Sequence, residues 1–193
     1  MTTPNLTLAT ALIALIAAPG ALHAETDAGD IVVTATRSEQ PIEEVGQAIT
    51  VIDKALIVQR QAQTVADLLS TTPGVTASRN GGVGGFTGLR IRGAEGEQTL
   101  VLIDGVRIND PSSPGGGFDF GNLLIGNINR IEVLRSPNSV PWGSQAIGGV
   151  VNIITKAAGA GNSINLRAEY GYADTAQGVV NASFRAGPVA ASF

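Results

Sequence analysis

Few side chains in this chain could do covalent chemistry. There is no cysteine, so disulfides and thiolate metal sites are excluded. The single histidine, His23, sits in an N-terminal stretch with the form of a removable address. The exported part then holds neither Cys nor His, which rules out Ser–His and Cys–His catalysis and the commonest zinc and iron sites. Carboxylate or lysine chemistry is what remains. Two glycine-rich stretches could cradle phosphate, and both fail their patterns. In Asn80, Gly81, Gly82, Val83, Gly84, Gly85 and Phe86, Thr87 stands where the dinucleotide fingerprint needs its third glycine. In residues 143–155, Gly149 and Val150 replace the Lys and Ser/Thr of a phosphate loop. The chain reads as a non-enzyme with no cofactor, whose polar residues serve binding.

The elements that must position those residues follow from composition and pattern. A length of 193 residues allows one domain with a modest core. Aromatics at 4% and 25 glycines suit a compact, loop-rich domain. The net charge of −4 and the absence of any basic cluster argue against nucleic acid as a partner. Residues 6–18, LTLATALIALIAA, form an uncharged apolar run shorter than the ~20 residues a membrane-spanning helix needs. Pro19–Gly20 breaks it and small residues follow, so residues 1–24 read as a signal peptide cut after Ala24. The n-region lacks Lys and Arg, and Leu22 sits where a smaller residue is preferred. The other reading is a buried helix of the folded domain.

Residues 31–36 are a short β-prone run beside a polar, glycine-containing segment. They serve equally as an ordinary first strand or as a tether that adds itself to a partner's sheet edge. A strand over residues 48–52 ends at Asp53, an N-cap for a short helix. Thr64 and Asp67 resemble a capping box for a helix over 65–70, stopped by Pro73–Gly74. Extended pieces are expected over 75–78 and 89–92. Asp104–Gly105 between apolar runs predicts a tight type I′ hairpin. A second long loop, residues 109–122, carries three glycines in a row and Phe118. Strands are expected over 128–134 and 150–154, with the paired glycines before the latter allowing close backbone packing. In residues 163–172 and 177–186, apolar and polar residues alternate. Ten-residue alternation fits membrane barrel strands, lipid on one side and a wet lumen on the other. A soluble half-buried hairpin is the alternative.

Five motifs in order resemble the TonB-dependent outer-membrane receptors. They are DIVVTATR (residues 30–37), LRIRG (89–93), VLIDGVRI (101–108), INRIEVLRSP (128–137) and WGSQAIGGVVNIIT (142–155). Within the family the vitamin B12 (cobalamin) receptors are most alike. The shared features are the Glu39–Gln40–Pro41 after the box, the Asn–Gly–Gly of the first loop, and Phe118–Asp119–Phe120 after the second. Ser136, Trp142 and Pro141 depart from the usual Gly, Tyr and sequence context.

The resemblance implies an α+β plug domain, with a small mixed sheet and short helices, that sits inside a 22-stranded barrel. It implies residues 25–41 as a mobile segment with the TonB box, 42–157 as the plug, and 158–193 as the first antiparallel strands of a truncated barrel. The box residues Asp30, Ile31, Val32, Val33, Thr34 and Ala35 would bind TonB in the periplasm. A small ligand such as cobalamin or a ferric siderophore would contact the first loop together with Asp110, Ser112, Ser113 and Phe118 of the second. The expected location is the bacterial outer membrane and the expected state a monomer. The rival from another class is a periplasmic or surface binding module without transport. The shortage of barrel strands favours it, and implies either a fragment or a truncated gene product.

Overall fold

The computed structural model describes residues 31–32, 37–82, 84–113, 115–156, 162–171, 174, 176–187 and 189–192. The expected signal segment and residues 30 and 33–35 of the box lie outside them. Strand β1 (Ile31–Val32) pairs with β2 (Gln40–Pro41). Strand β3 (Ile49–Ile52) leads into helices α1 (Lys54–Arg60) and α2 (Val65–Ser70). Strands β4 (Val75–Arg79) and β5 (Thr87–Ile91) form an antiparallel hairpin. Next come β6 (Thr99–Ile103), β7 (Val106–Ile108), β8 (Ile128–Leu134), the single turn α3 (Ser139–Trp142) and β9 (Gly149–Thr155). Strands β10 (Ser163–Tyr170), β11 (Ala176–Ala186) and β12 (Val189–Ser192) close the chain.

The central sheet has five strands in the order β3-β8-β9-β6-β7. Only β6 and β9 run parallel. Both are covered on their two faces, so their sequences TLVLI and GVVNIIT read as near-continuous apolar runs rather than alternating ones. On one face Val101, Ile131, Val133, Val151 and Ile153 meet Ile57, Val65, Leu68 and Leu69 from the helices, with Leu89 and Ile91 from β5. On the other, Leu100, Leu102, Leu134 and Val150 pack with Ala146 and the partly buried Ile49 and Trp142.

The local signals work as chemistry requires. The Asp53 carboxylate accepts from Leu56 N at 2.7 Å, capping α1. Thr64 Oγ1 accepts from Asp67 N at 3.2 Å. The reciprocal half of the box differs: the Asp67 carboxylate takes the Thr64 hydroxyl at 2.7 Å and Arg79 at 3.0 Å. Asp104 (φ 50°) and Gly105 (φ 79°) both adopt the left-handed region a type I′ turn needs. Asp104 also accepts from Thr155 N at 2.8 Å, fastening the end of β9 to that turn. Gly149 makes the predicted close approach: a Cβ there would lie 2.4 Å from the Leu134 carbonyl oxygen. The α3 turn was not anticipated. Its Pro141 is tolerated because a first helical turn has no intrahelical partner for that N–H.

Strands β10, β11 and β12 form a separate antiparallel sheet with Ser163 opposite Ser183 and Tyr170 opposite Ala176. Ile164, Leu166, Tyr170, Val180 and Phe184 are exposed, Leu166 and Tyr170 at 75%. Arg167, Val179 and Asn181, on the other face, are half-buried toward the core domain. The alternation breaks at Ala182 and Ser183, which are both buried.

One charge lies inside the second face. Glu132 is fully buried and meets Arg130 at 2.9 Å, with Asn152 Nδ2 at 3.5 Å. Register makes this neighbourhood, since β8 and β9 set Glu132 opposite Asn152. Removing one member of a buried pair leaves the other uncompensated, at a cost of about 3 kcal/mol. Glu132→Ala should therefore lower the unfolding free energy from urea titration by that margin, with a lower midpoint, and Glu132→Gln by clearly less. Equal midpoints for the parent and the alanine variant would contradict this role.

Candidate functional site

The first glycine-rich loop sits at the tip of the β4–β5 hairpin. Asn80 N donates to Phe86 O at 2.9 Å and Gly85 N to Gly82 O at 3.0 Å, so the loop is closed by its own backbone. In the second loop Asp110 accepts from Ser112 N at 2.8 Å and from the Ser112 hydroxyl at 2.6 Å, an Asx turn. Those Ser112 bonds, hydroxyl first, hold the Asp110 carboxyl below the usual carboxylate range. Gly116 N then donates to Ser113 O at 2.9 Å.

Asp119 stitches the two loops together. Its Oδ1 accepts from Thr87 N at 2.8 Å and from Gly121 N at 2.9 Å. Phe120 N donates back to Thr87 O at 2.9 Å. Phe120 is buried, and Phe118 meets it edge to face with ring centroids 4.8 Å apart. This fixes Phe118 at the wall of a pocket of about 420 Å³.

Four residues expected from the sequence line this pocket: Asn80 and Phe86 from the first loop, Ser113 and Phe118 from the second. Gly81, Gly82, Gly84, Gly85, Asp110 and Ser112 do not; they shape the loops instead. Val83 lies outside the described residues. Sequence reasoning missed Ser78, Arg90, Glu95 and Glu97. Arg90 was visible as one of two alternating arginines after the first loop. Glu95 and Glu97 come from a single turn before β6 that no periodicity marks. Arg90 pairs with Glu95 at 2.9 Å, but both side chains are more than half exposed, so the pair contributes little to stability. Glu97 lies directly against Gly115 and Gly117 of the second loop.

Two aromatic rings, an amide, two hydroxyls and carboxylates around an open hollow suit the recognition of a solute by surface contact. Among the described residues the lining holds no His, Cys or Lys. Among the described residues no three of His, Cys, Asp or Glu converge on a point that could hold a metal ion. Elsewhere, the described part of the box is paired, with Ile31 opposite Pro41 and Val32 opposite Gln40. Beside it, the Arg37 guanidinium lies over the Trp142 ring at 4.2 Å from its centroid.

Residues 41–150 match the model of the TonB-dependent Receptor Plug Domain, and the chain belongs to that family. It is 42% identical over 153 residues to the vitamin B12 transporter BtuB of Vibrio vulnificus strain CMCP6, covering 78% of this chain and 25% of that protein. The chain spans about a quarter of the length of the curated relatives it matches. Among solved structures, the outer-membrane ferripyoverdine receptor of Pseudomonas aeruginosa superposes with a TM-score of 0.68 at 22% identity, covering 82% of this chain and 20% of that one. The siderophore receptor PiuA of Acinetobacter baumannii gives 0.61 at 25% identity, covering 77% and 20%.

The stitch is testable on its own. Asp119→Ala removes an acceptor shared by two backbone donors and should cost about 2 kcal/mol. Amide hydrogen exchange at Thr87 and Gly121 should accelerate, while exchange in β6 and β9 changes only with global stability. Unchanged protection at both amides would show that the loops hold together without it.

Proposed function

We propose that this chain is the plug end of a TonB-dependent outer-membrane receptor that takes up cobalamin. The observation that carries the reading is the single pocket floored by both loops. Two segments more than twenty residues apart in sequence present Asn80, Phe86, Ser113 and Phe118 to one solute. The choice of cobalamin rests on the 42% identity to a protein named a vitamin B12 transporter. The likeness to siderophore receptors is at 25% identity or below for the two described above and supports the fold rather than the solute.

In this reading residues 1–24 direct export, 25–41 carry the box, 42–157 form the plug, and 158–193 begin a barrel. The protein acts as a monomer in the outer membrane. Cobalamin settles on the loops, with barrel loops completing the site. Binding frees the box, Asp30 to Ala35, and TonB takes it as an added strand through main-chain hydrogen bonds. Pulling on that strand shifts the plug and opens a path. No bond of the solute is broken, which agrees with a pocket built for contact.

An added strand needs its N–H donors, and proline has none. In a receptor that carries this chain ahead of its remaining strands, Val33→Pro should leave cobalamin affinity within about twofold, since the substitution falls in the box and not in either loop. Uptake measured with labelled cobalamin should fall to background. Full uptake in that variant would contradict the coupling role of the box.

A further inference from the structure

The first loop opens on the dipeptide Asn80–Gly81, and no other asparagine of this chain precedes a glycine. Asparagine is a chemically labile residue, and most so before glycine, where no Cβ hinders the approach of the next main-chain nitrogen. The structure leaves both reacting groups available. Two main-chain bonds close the loop: Asn80 N donates to Phe86 O and Gly85 N to Gly82 O. Neither uses the Gly81 N–H or the Asn80 carboxamide, and no other group among the described residues bonds to them. Both residues are exposed at the tip of the β4–β5 hairpin. Gly81 has φ 91°, and nothing lies within 4 Å of the place a Cβ would take, so a ring can close there without displacing a neighbour.

Comparable positions elsewhere are held by the fold. Asn138 precedes Ser139 and is only 5% exposed. Asn162 precedes Ser163, and its Oδ1 accepts from Arg185 N at 2.9 Å. Asp104–Gly105 could form the same ring from a carboxyl group. Both Asp104 oxygens, however, accept from Thr155, one from its N at 2.8 Å and the other from its hydroxyl at 2.7 Å. The reactivity is concentrated at one residue, and that residue lines the loop pocket.

We propose that Asn80 is a site of spontaneous deamidation, a modification that puts a further carboxylate on the pocket lining. The Gly81 nitrogen attacks Asn80 Cγ and forms a new C–N bond. The bond from Cγ to the side-chain nitrogen breaks, and that nitrogen leaves as ammonia with the Gly81 proton. Water then adds to one of the two carbonyls of the cyclic imide and the C–N bond there breaks, giving aspartate or isoaspartate. The Gly81 nitrogen regains a proton from that water, and no oxidant or cofactor is consumed. The new carboxylate joins Glu95 and Glu97. Among the described residues the lining's one cation is Arg90, which already pairs with Glu95. Like charges repel, so the modified floor disfavours an anionic group. Isoaspartate also routes the main chain through the side chain, which adds a methylene beside the Asn80–Phe86 bond that closes the loop. The modification is defined by its own chemistry and stands whether or not the pocket takes cobalamin.

The test ages a receptor that carries this chain in neutral buffer, then maps it by peptic digestion at acid pH and mass spectrometry. Aspartate and isoaspartate should appear at residue 80 before any other asparagine of this chain is modified. Gly81→Ala puts a Cβ beside the attacking nitrogen and should slow the reaction about tenfold. Asn80→Gln, whose ring would be one atom larger, should keep its amide through the same ageing. Unfolding the parent in guanidinium should leave the rate at Asn80 nearly unchanged, because the fold holds neither reacting group, and should raise the rates at Asn138 and Asn162. Three results would overturn the proposal: an Asn80 that stays intact in the folded receptor, earlier modification of another asparagine of this chain, or an equal rate in Gly81→Ala.

Discussion

The parallel pairing of β6 with β9 is the constraint on which the rest of the structure depends. Parallel strands need a long crossover, and here residues 104–148 supply it. That crossover contains β7, the second loop, β8 and α3. Because it must leave the end of β6 and return to the start of β9, it passes the β4–β5 hairpin on its way. The second loop is thereby delivered against the first, and Asp119 fastens them. The pocket is a consequence of how the central pair is closed.

The same pairing demands close approaches that only certain residues allow. Gly149 enters β9 against the Leu134 carbonyl, and the Ile91 side chain of the hairpin crowds the same position. The Asp104–Thr155 bonds fasten the far end of the pair at the β6–β7 turn. Between these ends sits the buried Glu132, compensated by Arg130 and Asn152. A buried ion pair is weak evidence for stability, because desolvation offsets much of its attraction. Its consequence here is register: a slip of β8 against β9 would carry Glu132 to the other face and strand it among Val151 and Ile153.

Much of this was legible in the sequence because it rests on local chemistry. The Asp53 cap, the Asp104–Gly105 turn, the glycine pair at Gly148–Gly149 and the alternation in β10 and β11 are statements about neighbours along the chain. Where strand edges shifted they moved by one or two residues, as with β5, which starts at Thr87 rather than Leu89. What could not be read depends on contacts between distant segments. Nothing near Glu132 in sequence says that Asn152 will stand opposite it. Glu95 and Glu97 join the pocket only because β6 starts beside the second loop. Asp110 and Ser112, read from the sequence as ligand contacts, bond to each other and shape the loop. The α3 turn escaped because Pro141 reads as a breaker, although a single turn tolerates it at that position.

The central claim is that the two loops form one floor for one solute. A double-mutant cycle on Phe86 and Phe118 tests it most directly, with equilibrium cobalamin affinity as the readout in a receptor that carries this chain. Residues that line one pocket should be coupled, with Phe86→Ala and Phe118→Ala departing from additivity by ~0.5 kcal/mol or more. Strict additivity, or an affinity unmoved by either substitution, would contradict the account.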